Sequence, residues 1–259
     1  MKAFIGPVVV KLSIVCMLFY SIMPVGDAKA NQLCKQKEML DVSKGEYRVG
    51  NNIWGEAPGS QCIEVDPNST YFTVTSATHN TPGSVEAYPF IFKGRHFGGD
   101  NTLNSGLPIL VGDIAAAPIV WSVDPNGATG NWNIAFESWF SSTGGIAPDK
   151  AELMIWINYK DMGCGGTRVA ADVPIGGFTW DVYHSGYHRQ WDHYIAYRIT
   201  TPVNYVNIDL KDFIDDSIKR GYIDPKWYLD NMEAGFELMA GGQGMTNKSF
   251  SASVNKVKK

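Results

Sequence analysis

An all-β fold, a sandwich or jelly roll with one packed α-helix, is what the sequence predicts, on three observations. Short apolar, β-branched and aromatic runs alternate with Gly, Pro, Asn and Asp turns along most of the chain. The composition agrees, with 27 Gly, 12 Tyr, 12 Phe and 8 Trp against only 19% charged residues, where about 25% is usual. One segment alone carries a helical period. Many short, weakly charged strands hide their edges best by stacking two sheets. No Ser/Pro/Thr-rich linker, internal repeat or low-complexity tract divides the chain, so one domain is expected after the leader.

The first thirty residues form that leader. Lys2 supplies a positive start, Val8–Leu18 is mostly apolar, and Ala28-Lys29-Ala30 is an A-x-A cleavage signal. The apolar run falls short of the ~20 residues that a membrane span needs, so residues 1–30 read as a signal peptide and 31–259 as the exported domain. The formal charge of −4 and pI near 5.7 argue against nucleic acid as a partner. Export permits a disulfide among Cys34, Cys62 and Cys164. Cys34–Cys62 is the economical pairing, joining the N-terminal strand to the next hairpin. Cys164, in a Gly-rich loop, is then a free thiol, unless the pairing is different.

The strand-like runs are Tyr71–Ser76, Val85–Phe92, Ile119–Val123, Trp132–Phe140, Glu152–Tyr159, Phe178–Tyr183, Trp191–Ile199, Ala234–Met239 and Ser249–Val254. Val206–Arg220 differs, because Leu210, Phe213, Ile214 and Ile218 fall at helical spacing. Asp209 near its start and Lys219-Arg220 at its end suit the helix dipole, and Gly221 follows as a stop.

Strand parity then sorts the acidic residues. In Ala151–Tyr159, Leu153, Ile155 and Ile157 make an aliphatic core face, leaving Glu152, Met154, Trp156 and Asn158 on the other. Gly235, Glu237 and Met239 oppose Phe236 and Leu238 in the same way. Asn133, Ala135, Glu137 and Trp139 oppose Ile134, Phe136 and Phe140. Ionised carboxylates rarely sit among such neighbours without a partner or a task. Two carboxylates across a groove with aromatic platforms beside them are what glycoside hydrolysis requires. Ordinary strand-surface ion pairs would account for the same pattern.

The strings themselves resemble glycoside hydrolase family 12, the compact endo-β-1,4-glucanases. ELMIWIN is similar to that family's nucleophile strand, and GFELMAGGQGM followed by SFSASV to its acid/base strand and last strand. NNIWG with GSQC downstream resembles its N-terminal binding segment and disulfide. EAYPF, FESWF and WDVYHSGYH match further elements, so the resemblance runs from about Cys34 to Val254. It implies a jelly roll of two antiparallel sheets with an open concave cleft. Glu152 takes the nucleophile position and Glu237 the general acid/base. Glu137 stands where the family usually has an Asp bonded to the nucleophile. Asn52 and Trp54 match sugar-binding residues, Met154 and Trp156 the cleft floor, and Tyr88 the Y-P element. His96 borders the leaving-group side. The short disulfide loop of many bacterial members is missing, with Arg95 and Asp100 near where its Cys would be.

Other chemistries find less support. His184, His188 and His193 fit no zinc spacing, and neither a Ser nucleophile elbow nor a phosphate loop is present. No cofactor or metal is expected. Asn68-Ser69-Thr70 and Asn247-Lys248-Ser249 are glycosylation sequons. The sequence thus predicts a secreted, monomeric, retaining endo-β-1,4-glucanase acting on β-1,4-glucan. A xyloglucan-specific member of the same family, or a non-catalytic glucan-binding lectin, is the alternative.

Overall fold

The computed structural model describes residue 1 and residues 30–55, 60–145, 147–186 and 191–258. Most of the expected leader, and His188, lie outside the described residues. Two sheets stack on one another. The outer one has six strands, in the order Asn31–Leu33, Gln61–Val65, Phe72–Ala77, Thr246–Ala252, Pro118–Asp124 and Tyr205–Asp209. The inner one orders nine: Thr167–Ile175, Phe178–Ser185, His193–Ile199, Ala151–Lys160, Gly130–Ser141, Asn231–Gly241, Phe90–Gly94, Tyr47–Gly50 and Met39–Val42. Two short strands, Ile109–Leu110 and Tyr228–Leu229, extend it. Pairing is antiparallel throughout both sheets except between Ala151–Lys160 and His193–Ile199, which run parallel.

The predicted alternation decides which side of the inner sheet is dry. Leu153, Ile155, Ile157, Ile134, Phe136, Phe140, Phe236 and Leu238 all enter the core between the sheets, beside Trp121 and Phe72 of the outer sheet. Trp121 is fully buried, and its indole N–H donates to Asn247 Oδ1 at 2.6 Å. Asn247 is therefore a structural residue and not an accessible sequon, while Asn68 is exposed.

The Val206–Arg220 segment divides in two. Val206 and Ile208 are buried while Tyr205 and Asn207 are exposed, a period of two that makes Tyr205–Asp209 a strand. The helix is Leu210–Lys219, and it starts where Asp209 accepts a hydrogen bond from the Lys211 N–H at 2.9 Å. It ends in a Schellman motif, with Gly221 N–H bonded to Ile218 O, Tyr222 N–H to Ser217 O, and Gly221 at φ +77°. Phe213 on its buried face packs edge-on against Trp180 and Tyr197, with ring centroids 5.1 and 5.2 Å apart.

The predicted Val85–Phe92 strand starts late, at Phe90. Pro89 has no N–H for a ladder, and before it only Ala87 bridges, to Ile53 and Leu238. Thr167–Ile175 is an edge strand that the apolar pattern does not reveal. Its register slips twice, at Arg168/Ala170 and Ala170/Val173, and most of its residues face solvent. Cys34 and Cys62 are joined and Cys164 is free.

Candidate active site

Three adjacent strands of the inner sheet build the site. Gly130–Ser141 lies between Ala151–Lys160 and Asn231–Gly241. Across these pairs Trp139 faces Glu152, Glu137 faces both Met154 and Glu233, and Asn133 faces Glu237. Directly paired residues project to the same side of a sheet, so four glutamates share the concave face. Above them is a cleft of about 510 Å³.

Every residue that the sequence nominated for binding or catalysis lines this cleft: Glu137, Glu152, Glu237, Asn52, Trp54, Tyr88, His96, Met154 and Trp156. Their exposure divides them. Tyr88, Met154 and Trp156 are buried in the floor, and the Trp156 indole N–H points to Met154 Sδ at 3.4 Å. Trp156 therefore supports the floor and does not offer an open ring face. The exposed aromatics at the cleft are Trp54 and Phe97. Asn158 departs from the expected parity. A bulge at Ile134/Ala135 leaves it opposite Ile134, with its side-chain amide donating to Asn204 Oδ1 at 2.8 Å.

Gly235 makes the floor possible. A Cβ there would meet the Tyr88 ring at 2.9 Å and Pro89 O at 2.4 Å. The Tyr88 ring thereby lies against Gly235, the residue between Glu233 and Glu237 on this face, and its hydroxyl donates to Ala135 O at 3.0 Å. Burial first, then the surrounding carboxylates, hold its phenol well above the usual range, which keeps it a donor.

The glutamates differ in their partners. The Asn133 side-chain amide donates to Glu237 Oε2, and its oxygen accepts the Glu237 backbone N–H at 3.3 Å. Glu237 is partly open to the cleft, whereas Glu152 is buried to 8% exposure. Glu137, at 5%, is pushed well above the usual carboxylate range, by burial first and then by the charges of Glu237, Glu152 and Glu233. It therefore keeps its proton more readily than an ordinary carboxyl does.

One wall was foreseen only in Trp139 and His96. Trp139 and Trp191 meet edge-on at 4.7 Å, Phe97 packs on Trp139 at 4.8 Å, and His96 packs on Phe97 at 4.9 Å. In the segment where a disulfide loop was expected to be missing, Arg95 Nη1 donates to Gly145 O at 3.0 Å and His96 Nδ1 lies 2.8 Å from Glu233 Oε1. Alternation from Glu237 through Gly235 also reaches Glu233, so its face was legible. Tyr194 was legible in the same way, alternating with Ile195, Tyr197 and Ile199, whereas Trp191 and the Met162–Gly165 loop had no such signal. Cys164 lines the cleft within that loop, and burial pushes its thiol up, which leaves it protonated.

Among the described residues, no cluster of three or more His, Cys, Asp or Glu is arranged to hold a metal. His184 and His193 are 3.0 Å apart, and His184 stacks on Tyr222 at 3.8 Å.

The model of Glycosyl hydrolase family 12 matches residues 45–255. Endoglucanase S of Pectobacterium parmentieri is 27% identical over 220 residues, covering 79% of this chain and 80% of that protein. The crystal structure of a metagenome-derived glycoside hydrolase family 12 endoglucanase is 41% identical, with a TM-score of 0.84 over 89% of this chain and 100% of that one. Endoglucanase cel12A from Rhodothermus marinus is 44% identical, with a TM-score of 0.82 over 88% of this chain and 100% of that one.

Proposed function

Since the chain belongs to glycosyl hydrolase family 12 and is a glycoside hydrolase of the endoglucanase kind, we propose that it is a secreted, retaining endo-β-1,4-glucanase with Glu152 as nucleophile and Glu237 as acid/base. The observation that carries this reading is the placement of both carboxylates on one cleft, on strands either side of the Glu137 strand.

In the first step a Glu152 oxygen bonds to the anomeric carbon as the glycosidic C–O bond breaks, and the Glu237 proton passes to the departing oxygen. In the second, Glu237, now a carboxylate, takes a proton from water. The water oxygen then displaces Glu152 and restores the original configuration. Asn133 orients Glu237 for both steps. Asn52, Trp54, Tyr88, His96, Met154 and Trp156 shape the glucan site, with Trp54 the open ring for stacking. Residues 1–30 are the export signal in this reading, and the enzyme works as a monomer without a cofactor.

Reducing-sugar release from carboxymethylcellulose, measured beside xyloglucan and mixed-linkage β-glucan, tests it. Turnover on carboxymethylcellulose is expected. Turnover confined to xyloglucan would replace the substrate assignment, and binding without turnover on any glucan would overturn the catalytic one.

Glu137 tunes Glu152. Protonated, it presents an O–H donor beside the ionised nucleophile. Glu137→Gln, which keeps a donor, is expected to lose about tenfold in kcat, and Glu137→Ala about a hundredfold, the span of one hydrogen bond to a charged group. Both are expected to alter the acid limb of the pH–rate profile. An unchanged rate and profile in both variants would remove Glu137 from the mechanism.

A further inference from the structure

Glu233 is fully buried and has no place in the two-step scheme. Both of its oxygens accept hydrogen bonds. Asn231 Nδ2 donates to Oε1 at 2.6 Å, His96 Nδ1 lies 2.8 Å from the same oxygen, and Trp139 Nε1 donates to Oε2 at 3.3 Å. The Asn231 amide cannot be turned round, since its oxygen accepts the Trp139 backbone N–H at 3.0 Å and its nitrogen also donates to Arg95 O at 2.9 Å. The indole N–H is a donor only. A carboxyl group with a fixed donor on each oxygen is held as the anion.

Directly opposite Glu233 across the strand pair is Glu137. Two carboxyls so placed in a buried floor do not both ionise. We propose that Glu233 is a positioning residue, the fixed anion that keeps the proton on Glu137. The inference rests on the reading in which Glu137 hydrogen-bonds to the nucleophile.

The other charged and titratable groups facing this pair are Glu152 and Glu237 on the flanking strands, His96 and Tyr88 at either end of the Phe90–Gly94 strand, and Arg48, whose guanidinium is 2.6 Å from Asp41. Glu237 and Glu152 bear on Glu137 more strongly than Glu233 does, but neither charge lasts through the cycle. Glu237 must carry a proton to act as acid, and Glu152 becomes a neutral ester in the glycosyl-enzyme. Glu233 is the charge that persists in both states, so Glu137 remains a donor when Glu152 leaves the sugar and needs it again.

The test is the pH dependence of kcat and kcat/KM for Glu233→Gln and Glu233→Asp. Removing a buried unit charge makes every neighbouring carboxyl easier to ionise, so the Gln variant is expected to show both limbs displaced to lower pH by about half a unit or more. Its kcat is expected to fall with little change in KM. The Asp variant keeps the charge and is expected to keep the wild-type profile. Infrared spectroscopy gives a readout independent of turnover. A carboxylic-acid C=O band that Glu137→Gln abolishes is expected to disappear at lower pH in Glu233→Gln than in wild type.

Unmoved limbs and an unmoved band in a folded Gln variant, or an Asp variant displaced as far as Gln, would overturn the proposal and leave Glu233 a packing residue. Should Glu233→Gln not fold, Trp139→Phe removes one donor and is expected to move the limbs the same way, by less. If instead Glu137→Gln leaves rate and profile untouched, the underlying reading has failed, and the two failures are thereby distinguished.

Discussion

Glu152→Gln is expected to reduce hydrolysis of polymeric glucan by more than about 10⁴-fold, to the assay background, while the thermal midpoint stays near that of wild type. An amide oxygen at this position cannot form the glycosyl ester, and no other group stands in register to replace it. Its strand neighbours are Met154 beside it and Trp139 and Tyr194 across the two pairings. The fold tolerates the change because Gln has the volume of Glu, and because the loss of one charge from a cluster of four acidic side chains relieves repulsion. An activated aryl glycoside is not expected to rescue this variant, since a better leaving group does not supply a nucleophile. Near-wild-type turnover by Glu152→Gln would refute the assignment.

Glu237→Gln is expected to behave differently. On polymer the loss is about 10²–10⁴-fold, the usual worth of a positioned acid/base. With an aryl glycoside whose leaving group needs no proton, the first step is expected to recover while the second stays slow. A burst of aryl alcohol, followed by accumulation of glycosyl-enzyme on Glu152, is the signature, and mass spectrometry of the quenched protein detects it. Polymer and aryl substrate losing activity equally, without a burst, would mean that Glu237 does not deliver the proton. The Asn133 amide fixes Glu237 at both its side chain and its backbone, so the Gln replacement keeps at least the backbone contact.

Alternation carried most of the site. On Gly130–Ser141, Ala151–Lys160 and Asn231–Gly241 large apolar residues recur at alternate positions around each glutamate, interrupted only by small residues such as Ser138 and Ala234, so the face of each glutamate follows from period two. The motif resemblance then supplied what parity cannot, namely which glutamate does what. Alternation failed where the backbone itself departs from it. The bulge at Ile134/Ala135 turned Asn158 away from the cleft, and Pro89 delayed the Phe90 strand. The Tyr205–Asp209 strand falls inside the helical window because Val206 lies four residues before Leu210 and seven before Phe213, which is also a helical spacing. Trp191 and Cys164 come to the cleft from loops, whose paths no periodicity encodes. Glu233 was in reach of the same parity argument as Glu237. What the sequence could not show was its polar contacts, made by Asn231 two residues away on its own strand, by Trp139 on the neighbouring strand and by His96 in a loop.

The Thr167–Ile175 strand bears on how the protein behaves at high concentration. An uncovered sheet margin presents free N–H and C=O groups to any passing strand, which is how soluble proteins begin to aggregate edge to edge. Here that margin is doubly bulged, carries Arg168 and an Asp172 at φ +53°, and contains Pro174, which has no N–H to offer. Arg168 lies across the sheet direction, 3.1 Å from Asp181 on the neighbouring strand. A second copy approaching this side meets charge, a broken ladder and a missing donor, features that disfavour continuing the cleft-carrying sheet from one molecule into the next.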